Sequence, residues 1–158
     1  MARMIEEGGR GIALPENVGI LIVEPQKFQS DILRNALVSA GVGVDKIVEV
    51  RNIQAAREAL KNMVPDIVIV ELDLPDGPGE DLVRDIRQRR IRAPILAVTS
   101  LGSNEHVRGA VEAGVSDYLL KPVSNDQITK RVARHLKKAG LGAPTQGPGR
   151  PTQVIIGH

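Results

Sequence analysis

Six residues carry the chemistry this sequence could perform, and each directly follows, or falls shortly after, a run of branched apolar residues. Glu24 follows Val18–Val23, Glu71 follows Ile67–Val70 with Asp73 two residues on, Thr99 and Ser100 close the run from Pro94, and Lys121 follows Ser116–Leu120. Carboxylates, hydroxyls and an ammonium are the groups that bind a metal, hold a phosphoryl group or pair with one another. Any one of them alone reads as a solvated loop residue. Delivered together on adjacent strand ends they amount to a site, working or retired, because in open α/β sheets that edge is where ligands bind.

The elements that must position them follow from periodicity. Val18–Val23, Lys46–Val50, Pro65–Val70, Pro94–Thr99 and Ser116–Leu120 are short apolar runs, the signature of strands buried on both faces of a parallel sheet. Between them lie helical spacings. Phe28, Ile32, Leu33, Ala36 and Leu37 define the first helix, which Gly41 stops. Asn52 is an N-cap for Ile53–Met63. Gly79–Arg90 turns Leu82, Val83 and Ile86 inward, Asn104–Ala113 ends at Gly114, and Asn125–Lys138 turns Ile128, Val132 and Leu136 inward. A β-α unit five times over predicts an α/β fold: a doubly wound, flavodoxin-like parallel five-stranded sheet in the order 2-1-3-4-5 with right-handed crossovers. Residues 18–138 form this domain, residues 1–17 are expected as a flexible lead, and residues 139–158 as a Gly- and Pro-rich flexible tail.

Composition removes several classes. With one Phe, one Tyr and no Trp among 158 residues, the core must be Val, Ile, Leu and Ala, and base stacking on aromatics has no platform. A net charge of +2 is too small to imply a polyanion partner by itself. The absence of Cys excludes thiolate metal sites and disulfides and fits a cytoplasmic location. No apolar run approaches the roughly 20 residues of a membrane span, so no membrane partner is expected. His106, His135 and His158 have no neighbours at metal-ligand spacing, and Gly77-Pro78-Gly79 lacks the Lys of a phosphate-cradling loop.

Residues 18–138 resemble the receiver domain of two-component response regulators. The resemblance is carried by Ile20-Leu21-Ile22-Val23-Glu24, by Pro65-Asp66-Ile67-Val68-Ile69-Val70-Glu71-Leu72-Asp73-Leu74-Pro75 with Gly79, by Val98-Thr99-Ser100, and by Asp117-Tyr118-Leu119-Leu120-Lys121-Pro122. It implies that position 71 is the phosphoacceptor, that the pair 24–25 binds magnesium, and that Thr99 and Lys121 contact the acyl phosphate. It also implies that Thr99 and Tyr118 form the switch, that Lys121-Pro122 is a cis turn, and that the domain is a signalling module and not an enzyme. The family's usual contact face is the fourth helix, fifth strand and fifth helix; it would receive a signalling partner and could support a homodimer.

Two departures from the family pattern change the chemistry. Glu71 stands where the family has Asp, and its extra methylene displaces the oxygens from in-line attack. Pro25 stands where a second acidic ligand belongs and offers no oxygen, so weak or absent magnesium binding is expected, with Asp73 as partial compensation and no other metal or cofactor. The expected role is a stand-alone atypical receiver that works as a phosphorylation-independent interaction module, with Glu71 paired to Lys121 as a fixed charge. The alternative is a phosphoacceptor using Asp73 or Glu71 with weak magnesium. A further alternative is a nucleotide effector held by Arg84, Arg87, Arg89, Arg90 and Arg92; the plainer reading of these is a solvated helix end, where cations are favoured. No DNA-reading module follows, which argues against specific DNA binding.

Overall fold

A computed structural model describes residues 11–142 of the chain. Five strands form one parallel sheet: β1 (Ile20–Val23), β2 (Ile47–Val50), β3 (Ile67–Val70), β4 (Ile95–Thr99) and β5 (Asp117–Leu120). Five helices connect them: α1 (Lys27–Ser39), α2 (Ile53–Ala59), α3 (Gly79–Gln88), α4 (Asn104–Ala113) and α5 (Asn125–Lys138). The strand order is β2-β1-β3-β4-β5, all pairs parallel, with Val23 level with Val50 and Val70. The expected doubly wound topology is the one observed.

Strand alternation divides the core into two layers. Ile20, Ile22, Ile67, Ile69, Leu96 and Val98 face Leu33 and Leu37 of α1 and Ile128, Val132 and Leu136 of α5. Leu21, Val23, Val68, Val70, Ile95 and Ala97 face Ile53 and Ala56 of α2, Leu82 and Ile86 of α3 and Ala110 and Ala113 of α4. The three central strands are buried on both sides, so their residues are almost uninterruptedly branched and apolar.

Local signals set the ends. Asn52 accepts from the Ala55 N–H at 2.7 Å, and Asp76, from the loop after β3, accepts from the first two N–H groups of α2, those of Ile53 and Gln54. Ser103 caps α4, and Gly114 ends it at a φ of 122°, which suits glycine. Ser124 and Gln127 form a capping box on α5.

Three expectations need correction. Phe28 does not belong to the inward face of α1: it is 72% exposed, and Ser30 takes an inward place by donating to Glu49 at 2.6 Å. Within the expected lead, Ile12 and Leu14 pack against the domain while Ala13, Glu16 and Asn17 are exposed. Leu14 is buried, Ile12 lies against the same core layer, and the Leu14 N–H donates to the Ala40 carbonyl at 2.7 Å. Helix α2 ends at Ala59, short of Met63, with turns following. Residues 1–10 and 143–158, which hold the rest of the expected lead and most of the expected tail, lie outside the described residues.

Candidate functional site

The carboxyl edge of the sheet holds a hollow of about 400 Å3, lined by Glu24, Pro25, Gln26, Gln29, Glu71, Asp73, Ser100, Lys121 and Pro122. Strands β1 and β3 are neighbours, so Glu24 and Glu71 leave the sheet side by side. Backbone pairing fixes both: the Glu71 N–H donates to Val23, and the Glu24 N–H to Val50. The two residues are only 2% and 5% exposed.

Lys121 bridges both. Its Nζ lies 2.6 Å from Glu24 Oε1 and 2.7 Å from Glu71 Oε1. The expected Glu71 pair is present; the second grip, on Glu24, was not expected. The other oxygens are equally engaged. Glu24 Oε2 accepts from the Gln26 N–H at 2.9 Å. Glu71 Oε2 accepts from the N–H groups of Leu72 at 2.8 Å and Asp73 at 3.0 Å, and from the Thr99 hydroxyl. All four carboxylate oxygens therefore have protein donors.

The charges respond accordingly. Burial raises the Glu71 pKa, but hydrogen bonds from Lys121, Thr99 and the Asp73 N–H, with the ammonium's charge, hold it below the ordinary carboxyl value. Burial lowers the Lys121 pKa, and the two carboxylates more than reverse that, so it lies above the ordinary value. Both groups are ionised at neutral pH.

Asp73 reaches the rim by a route strand alternation does not describe. Strand β3 ends at Val70, and Asp73 belongs to a two-residue ladder, Asp73–Leu74 with Gly77–Pro78. It lines the hollow but is exposed. Gly79 fits where a side chain could not: a Cβ there would stand 2.8 Å from the Glu71 carbonyl.

Thr99 and Tyr118 are linked through Leu101. The Leu101 N–H donates to Thr99 Oγ1 at 3.2 Å, and the Tyr118 hydroxyl donates to the Leu101 carbonyl. Tyr118 is half-buried against the layer of α3 and α4. Its phenol pKa is raised by burial and by the charges of Glu80 and Glu71. The Lys121-Pro122 peptide is cis.

The five arginines do not form one patch. Arg87 turns inward: its guanidinium donates to the carbonyls of Gly114, Ile91 and Ala93, at 2.8–3.1 Å. Arg84 pairs with Asp81 at 2.7 Å and Arg89 with Asp85 at 3.8 Å. Arg87, Arg90 and Arg92 have no ion pair among the described residues, and of these three only Arg87 is taken up by backbone carbonyls.

A metal ion has little to bind. Among the described residues no group of three or more His, Cys, Asp or Glu could hold one, Pro25 contributes no ligand atom, and the carboxylates of 24 and 71 are spoken for. Asp73 is the one carboxylate in the lining that no protein donor holds.

Residues 20–133 match the model of the response regulator receiver domain family. The chain belongs to that family. As a receiver it is 34% identical over 119 residues to the transcriptional regulatory protein CusR of Escherichia coli, covering 75% of this chain and 51% of that protein. It is 28% identical over 117 residues to the chemotaxis protein CheY of Bacillus subtilis, covering 74% and 96%. A two-component response regulator from Clostridium difficile superposes with a TM-score of 0.70 at 25% identity, covering 77% of this chain and 97% of that one. The receiver spans about half the length of CusR and 20% of the response regulator PilR of Pseudomonas aeruginosa. Receivers are signalling modules, and among the described residues no helix is long and apolar enough to cross a membrane.

Proposed function

We propose that this receiver is a phosphorylation-independent interaction module whose pocket is permanently occupied from within. The observation that carries the reading is the occupancy of all four oxygens of Glu24 and Glu71 by protein donors. Phosphoryl transfer depends on positioning and charge neutralisation. Here the nucleophile position is a glutamate both of whose oxygens accept from protein donors, and the ammonium that would meet an incoming phosphoryl group is already shared. Magnesium plays no part in this reading.

The Thr99 hydroxyl bonded to Glu71, and Tyr118 packed inward on Leu101, give the switch one defined setting. In this reading Glu71 fills the place of a bound phosphoryl group, and a signalling partner reads the face of α4, β5 and α5 in that setting. Val111 and Leu120, 58% and 50% exposed, supply apolar contact there. The same face could join two copies of the chain.

A second reading has one observation in its favour: Asp73 lines the hollow, is exposed, and its carboxylate has no protein donor among the described contacts. It makes Asp73 the acceptor. Incubating the protein with acetyl phosphate and magnesium, followed by intact mass measurement, separates the two. Unchanged mass is expected; a magnesium-dependent phosphoryl adduct that disappears in Asp73→Asn would replace the first reading with the second.

A further inference from the structure

The opposite edge of the sheet carries a furrow whose cations are not consumed by the fold. A hollow of about 570 Å3 beside the end of α3 is lined in part by Arg90, Ile91 and Arg92. A second hollow, bounded by Pro94, Ser116 and Lys138, shares Arg92 with it. Together they run across the amino ends of β4 and β5.

Bordering acids do not neutralise it. Asp85 is held by Arg57 at 2.9 Å and by Arg89, and Asp117 by Arg131 at 2.6 Å and His135 at 2.9 Å. Arg87 occupies the loop carbonyls around the floor. Arg90, Arg92 and Lys138 are exposed and enter no ion pair among the described residues.

Arg90 also stands in a costly backbone conformation. Its φ is +64°, and among the described residues it is the only one other than glycine with positive φ. It closes α3: its N–H bonds to the Arg87 carbonyl at 3.0 Å, and the Ile91 N–H bonds to that of Ile86 at 3.3 Å. Glycine is the residue this closure favours, so helix termination does not account for an arginine there. Strain carried by an exposed cationic residue that lines a hollow is a mark of a binding role.

We propose that this furrow is a binding site for a compact anion bearing two or more phosphate groups, held by Arg90, Arg92 and Lys138. The planar fork of arginine matches phosphate oxygens in pairs, and the volume lies in the range of small-molecule sites, roughly 300–1,000 Å3. The described lining has no Phe, Tyr or Trp, and its one imidazole, His135, is held by Asp117 at 2.9 Å, so recognition is of the phosphates and not of a base. The site is separate from the hollow at Glu71, and its fate does not depend on how that hollow works.

The test is calorimetry of the full chain with pyrophosphate at near-physiological salt, with amide shift mapping, on wild type and Arg90→Gly. Saturable binding is expected, with shifts at Arg90, Arg92 and Lys138. Arg90→Gly should bind about tenfold or more weakly, as loss of one charge-assisted contact implies, while its melting temperature stays equal or rises. A structural role alone would not produce that split. The proposal is overturned by no saturable binding, by equal affinity in Arg90→Gly, by shifts centred on Thr99 and Lys121, or by hexaglutamate binding as tightly as pyrophosphate.

Discussion

Lys121 Nζ lies 2.7 Å from Glu71 Oε1 across the ends of β5 and β3. The same nitrogen holds Glu24 on β1, so one ammonium ties three strand ends together. Lys121→Met therefore leaves two buried carboxylates without a counter-ion. Breaking a buried pair by removing one partner costs about 3–5 kcal/mol; with Lys121 15% exposed, a loss of about 3 kcal/mol is expected from urea unfolding at pH 7. Lys130→Met, which removes an exposed pair with Asp126, should change stability by no more than about 0.5 kcal/mol. Equal effects from both would contradict the role given to Lys121.

The same contacts set a pH dependence of determined sign. Glu71 titrates below its ordinary 4.5, so its contribution is present above 4.5 and lost as pH falls through the lowered folded value. Lys121 titrates above its ordinary 10.5, so its contribution is present below 10.5 and lost as pH rises through the raised one. The pair therefore stabilises the fold between about 4.5 and 10.5. Urea midpoints measured down to pH 3 should fall less steeply with acidification in Glu71→Gln than in wild type, because one carboxylate proton no longer enters the linkage.

Much of this was legible in the sequence for a physical reason. Runs such as Ile67–Val70 leave few options besides a doubly buried strand, and such a strand must expose whatever polar residue ends it. Helix α4 has its expected bounds because Ser103 and Gly114 mark them chemically. What was not legible depends on direction in space. Periodicity gives Phe28 the same standing as Leu33, yet one is 72% and the other 3% exposed. Leu14 has no periodic context, so its burial could not be inferred. The Glu24–Lys121 contact spans 97 residues; only the strand order brings the two together, and charge alone gave no means of ranking Glu71 over Glu24 as the partner.

Arginines that look alike in sequence should separate by stability. Arg87→Ala leaves the carbonyls of Gly114, Ile91 and Ala93 without their charged donor at a part-buried loop junction. Each unsatisfied buried polar group costs about 1–3 kcal/mol, and partial access of water to this one brings the expected total to about 2–3 kcal/mol. Arg84→Ala, at an exposed pair with Asp81, should stay within about 0.5 kcal/mol. Chemical denaturation of the two variants side by side decides it.

If Glu71 and Pro25 are what close the pocket to phosphate, reversing both should reopen it. Glu71→Asp withdraws the carboxylate by one methylene and weakens its hold on Lys121 and Thr99. Pro25→Asp supplies an oxygen where a hard divalent cation needs one. Intact mass after incubation with acetyl phosphate should show a magnesium-dependent adduct in the double variant and none in wild type, with Glu71→Asp alone giving at most a trace. A double variant that stays unmodified while folded would place the block elsewhere.

The path from Thr99 to Tyr118 passes through a single residue, Leu101, which donates its N–H to Thr99 and accepts from the Tyr118 hydroxyl. Thr99 in turn donates to Glu71. If these contacts act as one unit, removing the hydroxyl at one end must change what the other end contributes. Thr99→Val and Tyr118→Phe each remove one hydroxyl with little change of shape, and each should cost about 1 kcal/mol. Residues sharing a network couple by about 0.5 kcal/mol or more, whereas independent sites add. The double variant should therefore lose less stability than the two single losses summed, by at least about 0.5 kcal/mol. Amide exchange at Leu101 gives a second readout: it should quicken in either single variant, and little further in the double. Strict additivity, with exchange at Leu101 unchanged by Tyr118→Phe, would mean that Tyr118 is held by packing alone and that the charge at Glu71 is not communicated to the α4–β5–α5 face by this route.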